Sequence, residues 1–305
     1  MEIVQTVLGP IAPDDLGMTL IHEHVMCDFV GAAETGPHRW DVDEVVRTMR
    51  PYLDALVARG VRAFGDCSPA YLGRDPRVLV QLSRLTGLHI ITNTGFYKEP
   101  YLPDDVFDLS PQALAERWIA EWEDGIEEGV RPGFIKIAVN PGPLVPIQRT
   151  IVRAAAITHR ATGLMVASHT GHALAAVESL DLVEDEGMDP AHFVIVHADQ
   201  IEDLALHRQL ADRGAWLEYD SIGARPVEEH VRLLVDMLDL GYADRILLSQ
   251  DAGWYRVGEP GGGEVRPYTA ILDRFIPMLC DAGVDEAIVH RLFVKNPRRA
   301  LTVDV

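Results

Sequence analysis

The chain has 305 residues, of which 48% are hydrophobic, and a formal net charge of -20. A chain of this size can bury one large core, so we expect a single domain over residues 1–305, with two smaller domains as the alternative. The negative charge argues against nucleic acid and anionic membranes as partners, and no run of about 18 apolar residues predicts a membrane span. We therefore expect a small-molecule substrate.

The N-terminal segment and the cysteines indicate the cellular compartment. The first residues lack the basic region and the long apolar run of a signal peptide. Cys27, Cys67 and Cys280 are spaced neither as a zinc knuckle nor as a disulfide framework. We therefore expect a cytoplasmic protein with reduced thiols.

A helical segment that ends in glycine and continues as a short apolar run recurs along the chain. The intervals are mostly about 25 to 35 residues, the length of one strand and one helix. Glycine tolerates the left-handed backbone that ends a helix, and such glycines are Gly60, Gly87, Gly163, Gly187, Gly214 and Gly241. The apolar runs predict eight strands, near residues 17–22, 61–67, 88–94, 133–138, 164–169, 192–197, 214–219 and 245–250.

Three helices carry proline signals. Pro51 lies inside the helix predicted over residues 43–59 and predicts a kink or an early break there. A serine–proline pair starts the helix predicted over residues 110–128, and Pro226 starts another with an apolar stripe. Alternating strands and helices require parallel strands, and eight such units favour an α/β fold of the (β/α)8 barrel type. An open doubly wound sheet is the alternative.

Two histidines lie at the end of the first predicted strand. His22 and His24 are two positions apart, so both imidazoles face one interior point, whereas Glu23 faces the opposite side. Two inward histidines can also be purely structural.

Further polar residues follow later strands. His169, His197 and Asp251 end the fifth, sixth and eighth strands, at the barrel end where catalytic groups gather. Four imidazoles and a carboxylate that converge without a cation would leave buried polar groups unpaired, which is destabilising. The pattern therefore predicts a metal site.

Lys136 lies in the otherwise apolar fourth strand, with the same inward parity. An ammonium group cannot ligate a cation. A lysine carboxylated by carbon dioxide would supply the anionic bridge that two neighbouring cations require. The alternative is a lysine whose stem crosses the core while its head reaches water or pairs with an acid.

The segments GMTLIHEH, FIK, SHTG, VIVHADQ and LSQDAG, in this order, resemble the phosphotriesterase-like family of the amidohydrolase superfamily, in its lactonase branch. The resemblance extends from Gly17 to the FVKNPRRAL segment. It implies two divalent cations, bridged by carboxylated Lys136 and by a hydroxide. The more buried cation would be bound by His22, His24 and Asp251, and the more exposed one by His169 and His197.

The ligand set implies a hydrolytic mechanism. The bridging hydroxide would attack an ester carbonyl or a phosphoryl centre, and the more exposed cation would polarise the substrate oxygen. Asp251 would pass a proton to the leaving group, or would serve as a ligand only. Zinc suits these ligands, and manganese, cobalt or iron could take its place.

Three features bear on the substrate. Tyr97 resembles a tyrosine that family lactonases place beside the bridging solvent, and Arg225 resembles another lactonase pocket position; a packing tyrosine and a surface arginine are the alternatives. The loop over residues 252–270 carries a flexible glycine triplet and is shorter than in enzymes for acyl-homoserine lactones, which argues against long-chain lactones. Its candidate pocket residues are Trp254, Tyr255, Arg256 and Arg266.

The sequence thus predicts a lactonase or carboxylic ester hydrolase, with promiscuous phosphotriesterase activity. The alternatives are a phosphotriester hydrolase, an N-acyl amide hydrolase and a binding protein without catalysis. Family likeness also implies a homodimer.

Overall fold

The computed structural model describes residues 1–305. The strands are β1 (Glu2–Thr6), β2 (Gly9–Ile11), β3 (Thr19–Cys27), β4 (Ala63–Asp66), β5 (His89–Ile91), β6 (Asn93–Thr94), β7 (Phe134–Ala138), β8 (Val166–His169), β9 (Phe193–Val196), β10 (Trp216–Tyr219), β11 (Ile246–Leu248), β12 (Gly253–Arg256) and β13 (Val303–Asp304). The α-helices are α1 (Val42–Val57), α2 (Pro76–Thr86), α3 (Pro111–Asp124), α4 (Pro146–Thr162), α5 (Ala173–Asp185), α6 (Leu204–Asp212), α7 (Val227–Asp239), α8 (Ile276–Asp281), α9 (Glu286–His290) and α10 (Asn296–Leu301).

Parallel strands form a ring in chain order from β3 to β11, in which β5 and β6 are one strand position interrupted at Thr92. The ring closes where the segment that follows β11 forms backbone hydrogen bonds with β3. There the Asp251 amide donates to the His22 carbonyl at 3.1 Å, and the His24 amide donates to the Ala252 carbonyl at 2.9 Å. β12 then continues beside β3 as a parallel partner. The predicted (β/α)8 barrel is confirmed.

The first barrel strand differs most from its prediction. It was expected over residues 17–22, but β3 runs from Thr19 to Cys27 and is buried throughout, so His22 and His24 lie within it. The remaining strands agree with prediction to within two residues at either end. The expected helix ends are also present, because Gly87 and Gly163 both have a φ of 77° and follow α2 and α4.

Two helix predictions need correction. The early break expected at Pro51 is wrong, because α1 runs without interruption from Val42 to Val57. The proline is exposed and removes one backbone hydrogen bond, while Met49 and Leu53 on the opposite face stay fully buried. The helix expected to reach residue 128 ends at Asp124, since Gly125 has a φ of 92°. α7 begins directly after Pro226, as predicted.

The core has two parts. A cluster of 66 buried residues lies mainly between the strands and the surrounding helices. A second cluster of 15 fills the barrel interior, where Val4, Leu16, Ala300 and Leu301 pack beneath Phe134 and its neighbours. Apolar side chains therefore fill one end of the barrel and leave the carboxyl ends of the strands to polar ones.

The cysteines are all unpaired. Cys27 and Cys67 are buried, and Cys280 is exposed. No helix in the structure is both long enough and apolar enough to cross a membrane.

Candidate metal centre

The structure brings all six predicted metal ligands to one cavity at the carboxyl ends of the strands. This inner cavity has a volume of about 80 Å³. Phe29, Leu72, Tyr97 and Trp254 complete its wall. The six predicted ligands that line it are His22, His24, Lys136, His169, His197 and Asp251.

The first group of ligand atoms comes from β3 and from the residue that follows β11. His24 Nε2 lies 3.0 Å and His22 Nε2 lies 3.8 Å from Asp251 Oδ1. One candidate ligand atom from each residue lies within 4.8 Å of the other two. Asp251 Oδ1 is buried and accepts no hydrogen bond of acceptable geometry. Two imidazoles and a carboxylate oxygen thus converge on a point where a cation fits.

The second group lies across the cavity. His169 Nδ1 is 2.7 Å from His197 Nε2 and 2.9 Å from the Tyr97 hydroxyl. Burial lowers the pKa of His169 well below its ordinary value, and the neighbouring His197 lowers it further. A neutral imidazole with an available lone pair is the form that binds a cation.

Lys136 is on β7, which lies between β3 of the first group and β8 of the second group in strand order. The residue is only 1% exposed. Its Nζ atom has no hydrogen-bond partner. It therefore neither reaches water nor pairs with an acid, the two outcomes expected for a lysine without a metal role. A buried amine without a partner and two convergent ligand groups fit a pair of cations bridged by a modified lysine.

Residues behind the histidines orient them. His22 Nδ1 contacts Glu218 and lies 3.3 Å from Asp220 Oδ2, while His197 Nδ1 lies 2.6 Å from Asp220 Oδ1. His24 Nδ1 lies 2.9 Å from the Ser68 hydroxyl. Such acceptors fix the ring and direct its other nitrogen towards a cation.

The sequence prediction missed these supporting residues. Two acids in the run WLEYD, at the end of the seventh strand, were a visible signal. Burial raises the pKa of Asp220, but its contacts with His197 and His22 outweigh burial and hold that pKa well below the ordinary value. Asp220 is therefore an anion that supports a histidine in each ligand group.

Glu23 holds the segment that carries Asp251. Its carboxylate accepts hydrogen bonds from the Ser249 hydroxyl at 2.9 Å and from the Ala252 amide at 2.7 Å. Burial raises its pKa to about 7. Asp251 itself has a φ of 51° and His197 a φ of 60°, a left-handed conformation that is uncommon outside glycine and that clusters at functional sites.

The two predicted substrate residues lie in different places. Tyr97 lines the inner cavity, and burial raises the pKa of its hydroxyl, which therefore stays protonated. Arg225 does not reach the cavity. It is exposed, donates to the Asp199 carbonyl at 3.2 Å and pairs with Glu229 at 3.3 Å.

The Trp254 side chain lines both the inner cavity and a second, outer groove. Its ring stacks on His24 with centroids 4.1 Å apart and on Phe29 with centroids 5.6 Å apart. On its far side lies an outer groove of about 380 Å³, also lined by Arg256 and Arg266. Tyr255, expected in the pocket wall, is instead only 5% exposed and belongs to the main core, because successive side chains of β12 alternate in direction.

A larger cavity, of about 530 Å³, lies elsewhere, beside Trp40 and Phe96. Its charged residues have ion-pair partners, as Arg74 has in Glu121 at 2.6 Å and Arg117 in Asp105 at 2.6 Å. It gathers no group of convergent ligand atoms, so the smaller inner cavity is the candidate site.

Known proteins resemble this chain over nearly its whole length. The model of the phosphotriesterase family matches residues 2–301. A phosphotriesterase homology protein of Mycobacterium tuberculosis (strain ATCC 25618 / H37Rv) is 30% identical over 319 residues, which cover 98% of this chain and 97% of that protein. An N-acetyltaurine hydrolase of Rattus norvegicus is 27% identical over 343 residues, which cover 98% and 97%.

A solved structure shows the same fold. It is described as "Molecular Engineering of Organophosphate Hydrolysis Activity from a Weak Promiscuous Lactonase Template" and superposes with a TM-score of 0.88. Its sequence is 31% identical, over 98% of this chain and 99% of that chain. These matches confirm the resemblance drawn from the motif order and the prediction of a metal-dependent ester hydrolase. The chain belongs to the phosphotriesterase family.

Proposed function

We propose that this protein is a binuclear metal-dependent hydrolase of lactones or carboxylic esters. The observation that carries the proposal is the Tyr97 hydroxyl, which points at His169 inside a cavity of only about 80 Å³. A cavity of this volume favours a flat ester group over a tetrahedral phosphotriester with three substituents. The protonated hydroxyl can donate a hydrogen bond to an ester oxygen.

The cations would be held by the two ligand groups described above, with Lys136 as a carbamate between them. Zinc suits this mixture of imidazole and carboxylate, and manganese, cobalt or iron could replace it. When bound, such a pair supplies a hydroxide nucleophile near neutral pH and polarises the substrate oxygen.

The remaining steps belong to side chains of this protein. The Asp251 carboxylate is the proton acceptor, since it lines the cavity beside both histidines of the first ligand group. The proton would then pass from Asp251 to the leaving oxygen. Trp254 and Phe29 stack on each other and form the apolar part of the cavity wall, which would limit the access of water to the substrate.

Phosphotriester and N-acyl amide bonds are the other candidates, because similar proteins are described as acting on them. The solved structure described above concerns organophosphate hydrolysis on a lactonase template, and the relative from Rattus norvegicus is an N-acetyltaurine hydrolase. Hydrolysis of a phosphotriester or an N-acyl amide would use the same hydroxide nucleophile, but the attacked atom would be phosphorus or an amide carbonyl carbon.

A matched substrate panel tests the proposal. Lactones, aryl esters, phosphotriesters and N-acyl amides would be assayed with enzyme loaded with zinc, manganese or cobalt. We expect the highest kcat/KM on a lactone or ester and a much lower value on triesters. A higher value on a triester or an amide would assign the reaction to that bond instead. Growth with ¹³C-labelled bicarbonate should give a carbamate resonance that Lys136→Met abolishes, and its absence from the wild type would refute the bridge.

A further inference from the structure

Lys98 is a cation without an acidic partner in an acidic protein. It follows Tyr97 in the loop after β6 and is half-buried. Its Nζ atom lies 3.0 Å from His169 Nε2 and 3.4 Å from the Val139 carbonyl, and it forms no ion pair. An anion at this position would therefore be stabilised.

The contact with His169 differs from those of the other ligand histidines. The outward nitrogens of His22, His24 and His197 face oxygen atoms that can accept a hydrogen bond. His169 Nε2 instead faces the head of Lys98, which has only donors to offer. This pairing requires Nε2 to be the acceptor and Nδ1 to carry the ring proton.

A bound cation would reverse those roles. His169 would hold it through the nitrogen that faces His197, so its ring proton would lie on Nε2. Two donors would then face each other, and Lys98 would lose its partner. Its flexible four-carbon stem lets the head move away from His169 without any change in the backbone.

Two arginines expected near the substrate already have partners, one beside the site and one outside the cavity. Arg266 donates to the backbone carbonyls of Gln250 and Asp251, and Arg225 is held by Asp199 and Glu229. Lys98 is therefore the cation that loading of the site makes available. Lys98 Nζ lies 5.4 Å from the ring centroid of Tyr97, and Tyr97 lines the inner cavity.

We propose that Lys98 is a specificity-determining residue that binds an anionic group, a carboxylate or a phosphate, carried by the substrate beside the scissile bond. This inference rests on the proposed hydrolytic function and narrows its substrate class to anionic lactones, esters or amides. The reacting bond lies against Tyr97, and the anionic group extends from it towards the Lys98 side chain.

Matched substrate pairs test the proposal. A lactone that bears a carboxylate would be compared with the same lactone bearing a carboxamide, and a phosphorylated lactone with its unphosphorylated form. We expect Lys98→Met to lower the ratio of kcat/KM for the charged over the neutral member at least about tenfold, which corresponds to about 1.4 kcal/mol, mainly through KM. Lys98→Arg should keep most of the preference, and Lys98→Glu should reverse it. An unchanged ratio in Lys98→Met would overturn the proposal, and the pair with the larger change distinguishes carboxylate from phosphate.

The lysines of this chain are Lys98, Lys136 and Lys295. Because they are so few, the NMR signal of each labelled lysine can be followed separately, which gives a readout independent of activity. Reductive ¹³C-methylation of the zinc-loaded protein would label the exposed Lys295 and Lys98, with assignments from Lys98→Met and Lys295→Met. Inorganic phosphate or acetate should shift the Lys98 resonance and leave that of Lys295 in place. Shifts of equal size, or none at Lys98, would refute the anion site even if the substrate panel fails. If no substrate is hydrolysed but Lys98 responds, the hydrolytic proposal alone is wrong.

Discussion

Replacement of Lys136 by methionine should have opposite effects on the metal-free and the metal-loaded protein. Lys136 Nζ is buried and has no hydrogen-bond partner. An unsatisfied buried polar group costs about 1–3 kcal/mol, and methionine retains most of the stem while removing that group. Metal-free Lys136→Met should therefore exceed the metal-free wild type in its free energy of unfolding by about 1–3 kcal/mol. With an unfolding entropy of about 2.1 cal/mol/K per residue, each kcal/mol raises the Tm of this 305-residue chain by about 1.6 °C.

Cations should then reverse the order of the two proteins. Each cation present at about 100 times its Kd stabilises the folded wild type by about 2.7 kcal/mol, so a pair exceeds the advantage of about 1–3 kcal/mol held by the variant, which lacks the bridge and should gain little. Urea denaturation followed by circular dichroism, before and after loading, measures all four states, and mass spectrometry measures metal per chain. Lys295→Met, at an exposed position, is the control and should change stability by less than about 0.5 kcal/mol. A metal-free Lys136→Met less stable than the metal-free wild type would refute the reasoning.

Of four further predictions, three address the site and one an ion pair away from it. Asp220→Asn should weaken metal binding about 10–100-fold in chelator competition, because Asp220 supports a histidine in each ligand group. Tyr97→Phe should keep the metal content but lower kcat/KM on lactones about tenfold, since one hydrogen-bond donor to the substrate is lost. Trp254→Ala should raise kcat/KM for bulky esters relative to compact ones, because it joins the inner cavity to the outer groove. Burial raises the pKa of Asp75, but hydrogen bonds from Arg77 outweigh it, so the net pKa is lowered; the stability deficit of Asp75→Asn should be complete at pH 7 and should shrink as the pH falls below about 4.

Each of these predictions has a contrary outcome. Unchanged metal affinity in Asp220→Asn would mean that the supporting carboxylate is dispensable. Loss of metal in Tyr97→Phe would assign the hydroxyl a structural role instead. Equal rate changes on bulky and compact esters in Trp254→Ala would mean that the indole does not limit access. A constant deficit in Asp75→Asn between pH 7 and acid would show that its charge does not contribute.

The barrel and the ligand positions were predictable because each polar residue interrupts an apolar run at a regular place. His169, His197 and Asp251 each come at the end of a run in which almost all residues are apolar. They are therefore recognisable from the sequence without knowledge of the fold. Lys136 is visible for the same reason. Parallel strands then bring all of these positions to one end of the barrel.

Other features depend on contacts that no local pattern encodes. The support of His24 by Ser68 joins residues 44 positions apart, and nothing around the serine marks it. Arg225 matched a pocket position by sequence, but the structure directs it to Glu229 one helical turn away. Pro51 suggested a helix break, yet burial of the opposite face of α1 outweighs one lost hydrogen bond.

The distribution of the three thiols offers a direct measure of opening. In the folded protein Cys280 is exposed, while Cys27 and Cys67 are buried. A brief pulse of maleimide should thus add one adduct to each intact molecule and three to each unfolded one. Mass spectrometry would then count the two populations directly, without any change to the sequence.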